Sequence, residues 1–478
     1  MNTVSKNIFW LSASRTLSLV FLFFAYSQLL RYLGPVQYGQ YQFVLSFVLL
    51  FSTVVDFGIQ QFITKKISEE PSKAKKYFHS FLTFEILVAL SLYIVLLSTA
   101  FFGHYEKTVL IAITVTGLGM VANALTYPFL AVMTAAQDLK KVALINLINS
   151  CVNFTFIFLA IWFGKHIVFL ASIQLVFGII DLVIYRVFIT KHIQKPEVFK
   201  TLTDYDLSII KNILKSGWPF VLLVGFSAIY NRIDMVIITR LLGYEQTGYY
   251  GAAYKIFDLL AFFPAIVSHS LFPHFSSLMI QGSVIKVREN LEKYLRIMIV
   301  GAIPVAFGGT ILSKQLIVLV AGDRYVQAAP ILSILVWAPA ILSIYIPLNS
   351  LVISQLTKKA LVVTGVNVFV NVIGNLIFIP YFGLKAAAYM TVFSELLQGT
   401  FYFYFIRTSI TGFRFFSLLW KPLLSGLIMG FVLFSVSLSN VFAAIASGFC
   451  VYVLGLLVLG FFEEQDLLFA QSFFKKVV

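Results

Sequence analysis

Along this chain apolar residues come in blocks of about twenty, the length of helix that crosses ~30 Å of hydrocarbon. Short polar turns separate the blocks. Reading block against turn predicts fourteen spans. The first six cover roughly 7–31, 39–62, 79–101, 108–134, 143–163 and 167–190. The next six cover roughly 216–240, 248–275, 294–320, 329–355, 361–380 and 386–408, and a last pair 419–438 and 441–462. Breaks fall on turn chemistry: Leu33-Gly34-Pro35, Phe163-Gly164-Lys165, Tyr381-Phe382-Gly383 and Ser439-Asn440. The first block, Asn7 to Leu30, is too long for a signal-peptide core and lacks a small-residue cleavage site after it, so it is expected to stay as the first span.

Two of the turns resemble each other. Arg31-Tyr-Leu-Gly-Pro-Val-Gln-Tyr-Gly-Gln-Tyr41 returns as Arg240-Leu-Leu-Gly-Tyr-Glu-Gln-Thr-Gly-Tyr-Tyr250, an offset of 209 residues. Arginine, both glycines, the glutamine and the closing tyrosine coincide without gaps. A second echo pairs Gln137, Lys140, Lys141, Asn149 and Asn153 with Gln355, Lys358, Lys359, Asn367 and Asn371, at an offset of 218. Each echo joins the same pair of spans in its half. Six spans is an even number, so both copies keep one orientation and form a parallel repeat. The expected architecture is an all-α polytopic membrane protein of about fourteen helices: a six-helix lobe at 1–195, a second at 211–408, and an added helix pair with its tail at 409–478.

Composition agrees with the pattern. Of 478 residues 60% are hydrophobic and 12% charged, where soluble chains hold about 25% charged residues. The net charge of +15 raises nucleic acid as a partner. Placement removes it: with the N-terminus inside, 23 of the 35 lysines and arginines fall in inside segments. That asymmetry follows the positive-inside rule, puts both termini in the cytoplasm, and makes the charge topological. No predicted loop has room for a soluble catalytic domain.

Charge inside a span costs about 2.5–3.5 kcal/mol on the insertion scale, so it faces protein or a water-filled cavity. Arg15 lies in span one, Arg232 and Asp234 in span seven, Lys255 and Asp258 three apart in span eight. One reading is a cationic cavity in which Arg15, Arg232 and Lys255 hold an anionic headgroup, guanidinium matching phosphate bidentately. The other is mutual neutralisation, Arg232 with Asp234 and Lys255 with Asp258, with Arg296 reaching the interface. Asp56, Asp234, Asp258 and Glu395 are the candidate ion-coupling or pairing carboxylates. The buried excess is expected to be basic. Asn149/Asn153 and Asn367/Asn371 each lie four apart and share a helix face, where they bind sugar hydroxyls or a neighbouring helix. Gly426 and Gly430 form a GxxxG that reads as packing, and Cys151 and Cys450 as small core residues with no metal spacing.

Enzyme signals are sparse. No Walker A, HExxH or GxSxG pattern occurs. Asp204-Tyr205-Asp206 is a lone DxD in a loop, without a nucleotide-binding domain around it.

The turn Arg31 to Tyr41 after a first span, Asp56-Phe57-Gly58 closing the second, and Asn231-Arg-Ile-Asp234 with Gly243 and Tyr254-Lys-Ile-Phe257 resemble the polysaccharide-transporter branch of the MOP exporter superfamily. The resemblance covers nearly the whole chain. It implies a flippase of lipid-linked oligosaccharides, O-antigen units among them, moving an undecaprenyl-diphosphate-linked repeat from the inner to the outer leaflet of a bacterial plasma membrane. It implies no cofactor, coupling to membrane potential or to an H+ or Na+ gradient, and company with membrane lipids and other glycan-assembly membrane proteins. The rival readings are a multidrug or cation antiporter of the same superfamily and a membrane glycan polymerase or ligase.

Overall fold

The computed structural model describes residues 3–56, 59–189, 205–280, 284–355, 357–410, 412, 415–436 and 440–462; within the helices some side chains, those of 3–16 and 212–224 among them, are not described. Every regular element in these residues is helical. The α-helices run α1 Thr3–Asp56, α2 Ile59–Glu69, α3 Ala74–Phe102, α4 Lys107–Ala124, α5 Tyr127–Ala135, α6 Leu139–Trp162, α7 Ile167–Ala171, α8 Ile173–Ile189 and α9 Leu207–Leu242. They continue with α10 Tyr244–Ile280, α11 Val284–Ile311, α12 Ser313–Ala321, α13 Ala329–Leu335, α14 Trp337–Gln355, α15 Thr357–Phe382, α16 Leu384–Ser409, α17 Phe415–Val436 and α18 Val441–Val458. Among the described residues ten stretches are long and apolar enough to cross a membrane. The chain is a multi-pass, all-α membrane protein.

The pattern of blocks and turns is realised with local differences. Span one and most of span two form a single helical stretch, α1, broken at Gly34, whose φ of 70° and ψ of 173° lie outside the helical region. Positive φ costs an L side chain but not glycine, which is why glycine stands there. Helix α1 ends at Asp56. Beyond it α2 is amphipathic, burying Ile59, Ile63 and Ile67 and turning Lys65 and Lys66 outward beside Glu69.

Contacts divide the chain into two compact units, Met1–Gly251 with Val368–Gly383, and Ala252–Asn367 with Leu384–Val478. In the first, α1 packs on α6 and α9, and α4 on α8. Its core gathers Phe78, Phe81, Phe129, Met133, Ile145 and Tyr185, with Phe78 and Phe129 edge to face at 4.9 Å. In the second, α14 packs on α16, and α11 on both α14 and α17. Its core centres on Phe275, Leu291, Leu295, Leu348, Tyr402 and Tyr452. Gly426 lets α17 approach Ile303 and Phe307 of α11, so the GxxxG packs helices as expected. Cys151 and Cys450 are exposed on the helix surfaces, not in the core. A thiol is small and apolar enough to face lipid as readily as protein.

Pairs of exposed aromatic residues end three helices: Phe101 and Phe102 on α3, Trp162 and Phe163 at α6, Tyr381 and Phe382 on α15. All three ends fall on the side that the lysine count makes the outer one. Such amphipathic rings collect where hydrocarbon meets headgroup.

Candidate functional site

The repeated turns are built alike and touch each other. Gly34 and Gly243 share one backbone conformation, φ 70° with ψ 173° and φ 88° with ψ 176°. Gly39 and Gly248, five residues further on in each copy, are helical and serve a different purpose from turning. A Cβ on Gly39 would overlap the Tyr244 carbonyl oxygen and stand 2.8 Å from the Gly248 nitrogen. A Cβ on Gly248 would in turn overlap the Pro35 carbonyl. Backbone meets backbone at this crossing, and only glycine leaves room. The α3–α4 loop clasps both copies: Arg240 donates to the Gly103 carbonyl at 3.1 Å and Gln40 to Glu106 at 3.0 Å, while Tyr105 stacks near Phe43 at 4.9 Å.

Each closing tyrosine reaches back across its turn. Tyr41 is hydrogen-bonded with Tyr26. Tyr250 donates to Asp234 at 2.7 Å. Asp234 is 2% exposed and also accepts from the Met235 N–H at 2.8 Å. Arg232 is half-buried and close enough to act on Asp234 electrostatically. In the second unit, Lys255 and Asp258 form an ion pair at 3.8 Å, one helical turn apart. The Lys255–Asp258 pair expected from spacing therefore exists. Arg15 and Asp56 fall among the side chains outside the described residues.

Glu395, on α16, is 3% exposed and accepts a hydrogen bond from Tyr345 of α14. The Tyr345 ring lies 5.8 Å from Tyr402, whose hydroxyl accepts from Gln398 at 3.2 Å. Gln398 in turn accepts from Asn367 of α15 at 2.7 Å. The first unit holds the counterpart: Asn149 of α6 donates to both oxygens of Asp181 on α8, at 2.9 and 3.0 Å. Asn149 and Asn367 thus join helices, as their shared-face spacing allowed. Their partners escaped the sequence reading, although Asp181/Tyr185 and Gln398/Tyr402 repeat the same four-residue step.

The charge balance inside the protein differs from the expected basic excess. Among the described residues the deeply buried charged side chains are Glu85, Asp181, Asp234 and Glu395, all carboxylates. Lysine and arginine stems are long enough to carry their charge out of the packed region. Arg296 is half-buried, and its guanidinium lies over the Phe461 ring, 5.4 Å away. Within the Asp204-Tyr-Asp206 motif, Asp206 is a helix cap, and Asp204 lies outside the described residues. Asp206 accepts from the Ser208 N–H at 2.8 Å to start α9 and pairs with Lys76 at 2.7 Å. The Lys76 and Ser208 hydrogen bonds hold its carboxyl far below the usual carboxylate range.

Against known proteins, residues 4–279 match the family model described as polysaccharide biosynthesis protein. The chain belongs to this family. The matched region of this family member contains both copies of the turn. Among curated relatives, the Bacillus subtilis teichuronic acid biosynthesis protein TuaB is 27% identical over 220 residues, 44% of each chain. The probable low-salt glycan biosynthesis flippase Agl15 of Haloferax volcanii is 25% identical over 232 residues, 47% of this chain and 49% of that one. An uncharacterized membrane protein of Methanocaldococcus jannaschii is 24% identical over 260 residues, 53% of this chain and 50% of that one. The matches span about half the length of these relatives. Among solved structures, the lipid II flippase MurJ in an inward closed conformation superposes with a TM-score of 0.75 at 17% identity, over 94% of this chain and 98% of that one. An inward-facing multidrug-resistance MATE transporter gives 0.65 at 14% identity, over 83% and 95%. These likenesses show the fold.

Proposed function

We propose that this family member is a flippase that carries an undecaprenyl-diphosphate-linked oligosaccharide from the inner to the outer leaflet of a bacterial cell membrane by alternating access. The family match over residues 4–279 carries the reading, and relatives named for teichuronic acid and low-salt glycan biosynthesis support it. The O-antigen repeat is the cargo the resemblance suggests. Arg15, Arg232 and Lys255 are the proposed counter-charges for the diphosphate, the guanidinium groups donating charge-assisted pairs of hydrogen bonds. The two six-helix lobes, 1–195 and 211–408, are the proposed moving bodies, with the 409–478 pair added to the second. Both termini then face the cytoplasm, and an H+ or Na+ gradient supplies the work through Asp56, Asp234, Asp258 or Glu395.

Deletion of the gene tests the cargo: lipid-linked oligosaccharide should accumulate in the inner leaflet. Arg15→Ala and Arg232→Ala should each restore less export than the wild-type chain. Full export by both variants would remove the cationic site.

One observation favours a second reading, export of an organic cation. The deeply buried charges among the described residues are carboxylates, the chemistry a cationic cargo needs. Restored resistance to cationic drugs in a sensitised strain, with no change in lipid-linked glycan, would decide for it.

A further inference from the structure

The two copies of the asparagine contact differ in one atom's chemistry. In the second unit Asn367 donates to a neutral amide, Gln398, at 2.7 Å. In the first, Asn149 donates to a carboxylate, Asp181, which is 9% exposed. Apart from Asn149, no described residue hydrogen-bonds Asp181. A buried carboxylate with one neutral donor is under-compensated, since removing a charge from water costs several kcal/mol unless it is paired. The Asn149 side-chain oxygen is buried and has no hydrogen-bond partner among the described residues, and the same holds for the Asn153 oxygen one turn along and the Asn367 oxygen of the amide contact. What sets the first unit apart is a carboxylate able to take up the proton that such an oxygen would accept. A buried carbonyl oxygen of this kind wants a donor.

A proton on Asp181 satisfies both groups. We propose that Asp181 is a proton-binding site within the membrane, with Asn149 as its partner. A proton from water adds to one carboxyl oxygen and cancels the charge. That new O–H donates to the Asn149 oxygen, while the Asn149 NH2 keeps donating to the other carboxyl oxygen. The result is a closed acid–amide pair with every polar atom used except one N–H of the amide. On release of the proton the pair returns to the arrangement seen, the NH2 facing both oxygens.

The surroundings leave the site to itself. Helices α4, α5, α6 and α7 pack against α8. Their charged or titratable residues are Lys107 on α4, Tyr127 on α5, and Lys140, Lys141 and Cys151 on α6; α8 adds Tyr185 and Arg186. Lys141 pairs with Asp138 and lies over the Phe188 ring at 5.4 Å, and Arg186 is exposed. Tyr185 is the group that feels the Asp181 charge. Neither lysine nor arginine pairs with Asp181 among the described residues.

The proposal rests on the transporter reading for its purpose, and its test does not. The purified full chain in lipid vesicles is followed by infrared difference spectroscopy as pH is lowered. Wild type should show a protonated-carboxyl carbonyl band that Asp181→Gln lacks. That variant copies the Asn367–Gln398 contact the fold already contains, so it should unfold at nearly the wild-type temperature. Asn149→Leu should keep the band and shift it, because the amide partner is gone. If Asp181→Gln fails to fold, the Asn149→Leu shift decides alone. An unchanged spectrum in both variants overturns the proposal. So does a wild-type band that responds to sodium at constant pH, which would mark a hard-cation site. Loss of the band in Asp181→Gln stands whether or not the chain moves a lipid-linked glycan, so the two readings fail separately.

Discussion

The turns at Gly34 and Gly243 have the same backbone and different chemistry. Both stop a helix with one glycine at positive φ, and both send a tyrosine back to the helix before the turn. In the first copy that tyrosine, Tyr41, finds another hydroxyl on Tyr26. In the second, Tyr250 finds the Asp234 carboxylate. The asparagine contacts repeat the lesson in reverse, with the carboxylate in the first copy and the amide in the second. Duplication preserved the backbone devices and let the polar partners diverge. A shared geometry therefore identifies the scaffold, and the positions where the copies disagree are the ones to test for function.

The sharpest break in this comparison is at the crossing the copies share. Gly39→Val places methyl groups against the Tyr244 and Gly248 backbones, which no rotamer avoids. It should lower stability by about 3 kcal/mol or more, the upper range for overpacking, read as a fall in thermal unfolding temperature in detergent. Gly248→Ala should follow it, through Pro35. Gly301→Ala, where nothing lies within 4 Å, should change little. Equal effects at Gly301 and Gly39 would mean that the crossing is not a constraint.

Next comes Glu395, the buried carboxylate that Tyr345 holds in the second unit. Tyr345→Phe leaves buried Glu395 without that donor and should cost about 2 kcal/mol. Glu395→Gln, which keeps a polar partner for Tyr345, should cost less. Tyr250→Phe should cost about 1–2 kcal/mol, since Asp234 keeps the Met235 N–H. Tyr41→Phe, which strands no charge, should cost less than Tyr250→Phe. A reversed order would contradict the divergence of the two copies.

Smaller effects belong to helix starts. Asn440 accepts from the Phe442 and Ala443 N–H groups, and Asn440→Ala should cost about 1 kcal/mol. Asp206 gives a pH dependence whose sign is fixed. Its carboxyl is held below the unfolded value by Lys76 and Ser208. Its contribution is complete above about pH 4 and is lost as pH falls through the lowered folded value. Between pH 5 and 8 (roughly the usual stability plateau) the wild-type chain and Asp206→Asn should therefore differ by a constant offset in unfolding temperature.

Spans, breaks and the duplication were legible because each is local: apolar run lengths, Gly-Pro turns, and polar residues recurring at a fixed offset. Gly34 was readable as a turn. The role of Gly39 was not, because its neighbour, Tyr244, is two hundred positions away and enters only through the fold. The asparagine faces were readable from their four-residue spacing, and so was the Lys255–Asp258 pair. The pairing of Asn149 with Asp181 and of Asn367 with Gln398 was hidden for the same reason as the role of Gly39, the partners lying on neighbouring helices at a separation that no helical period links. The expected basic excess is not seen among the described residues, whose deeply buried charges are carboxylates, and the Arg15 side chain lies outside them.

The aromatic pairs closing α3, α6 and α15 have a consequence for the surrounding lipid. Helix α6 has 24 residues and α15 has 26, about 36 and 39 Å of helix at 1.5 Å per residue, against roughly 30 Å of hydrocarbon. Exposed rings favour the headgroup plane, so with one end of each helix drawn there the surplus is taken up by lean or by overhang at the opposite face. The protein thus carries its own depth gauge. Bilayers of different acyl length should change its tilt before they change its packing, and membrane thickness becomes a variable to which the tilt of this chain responds.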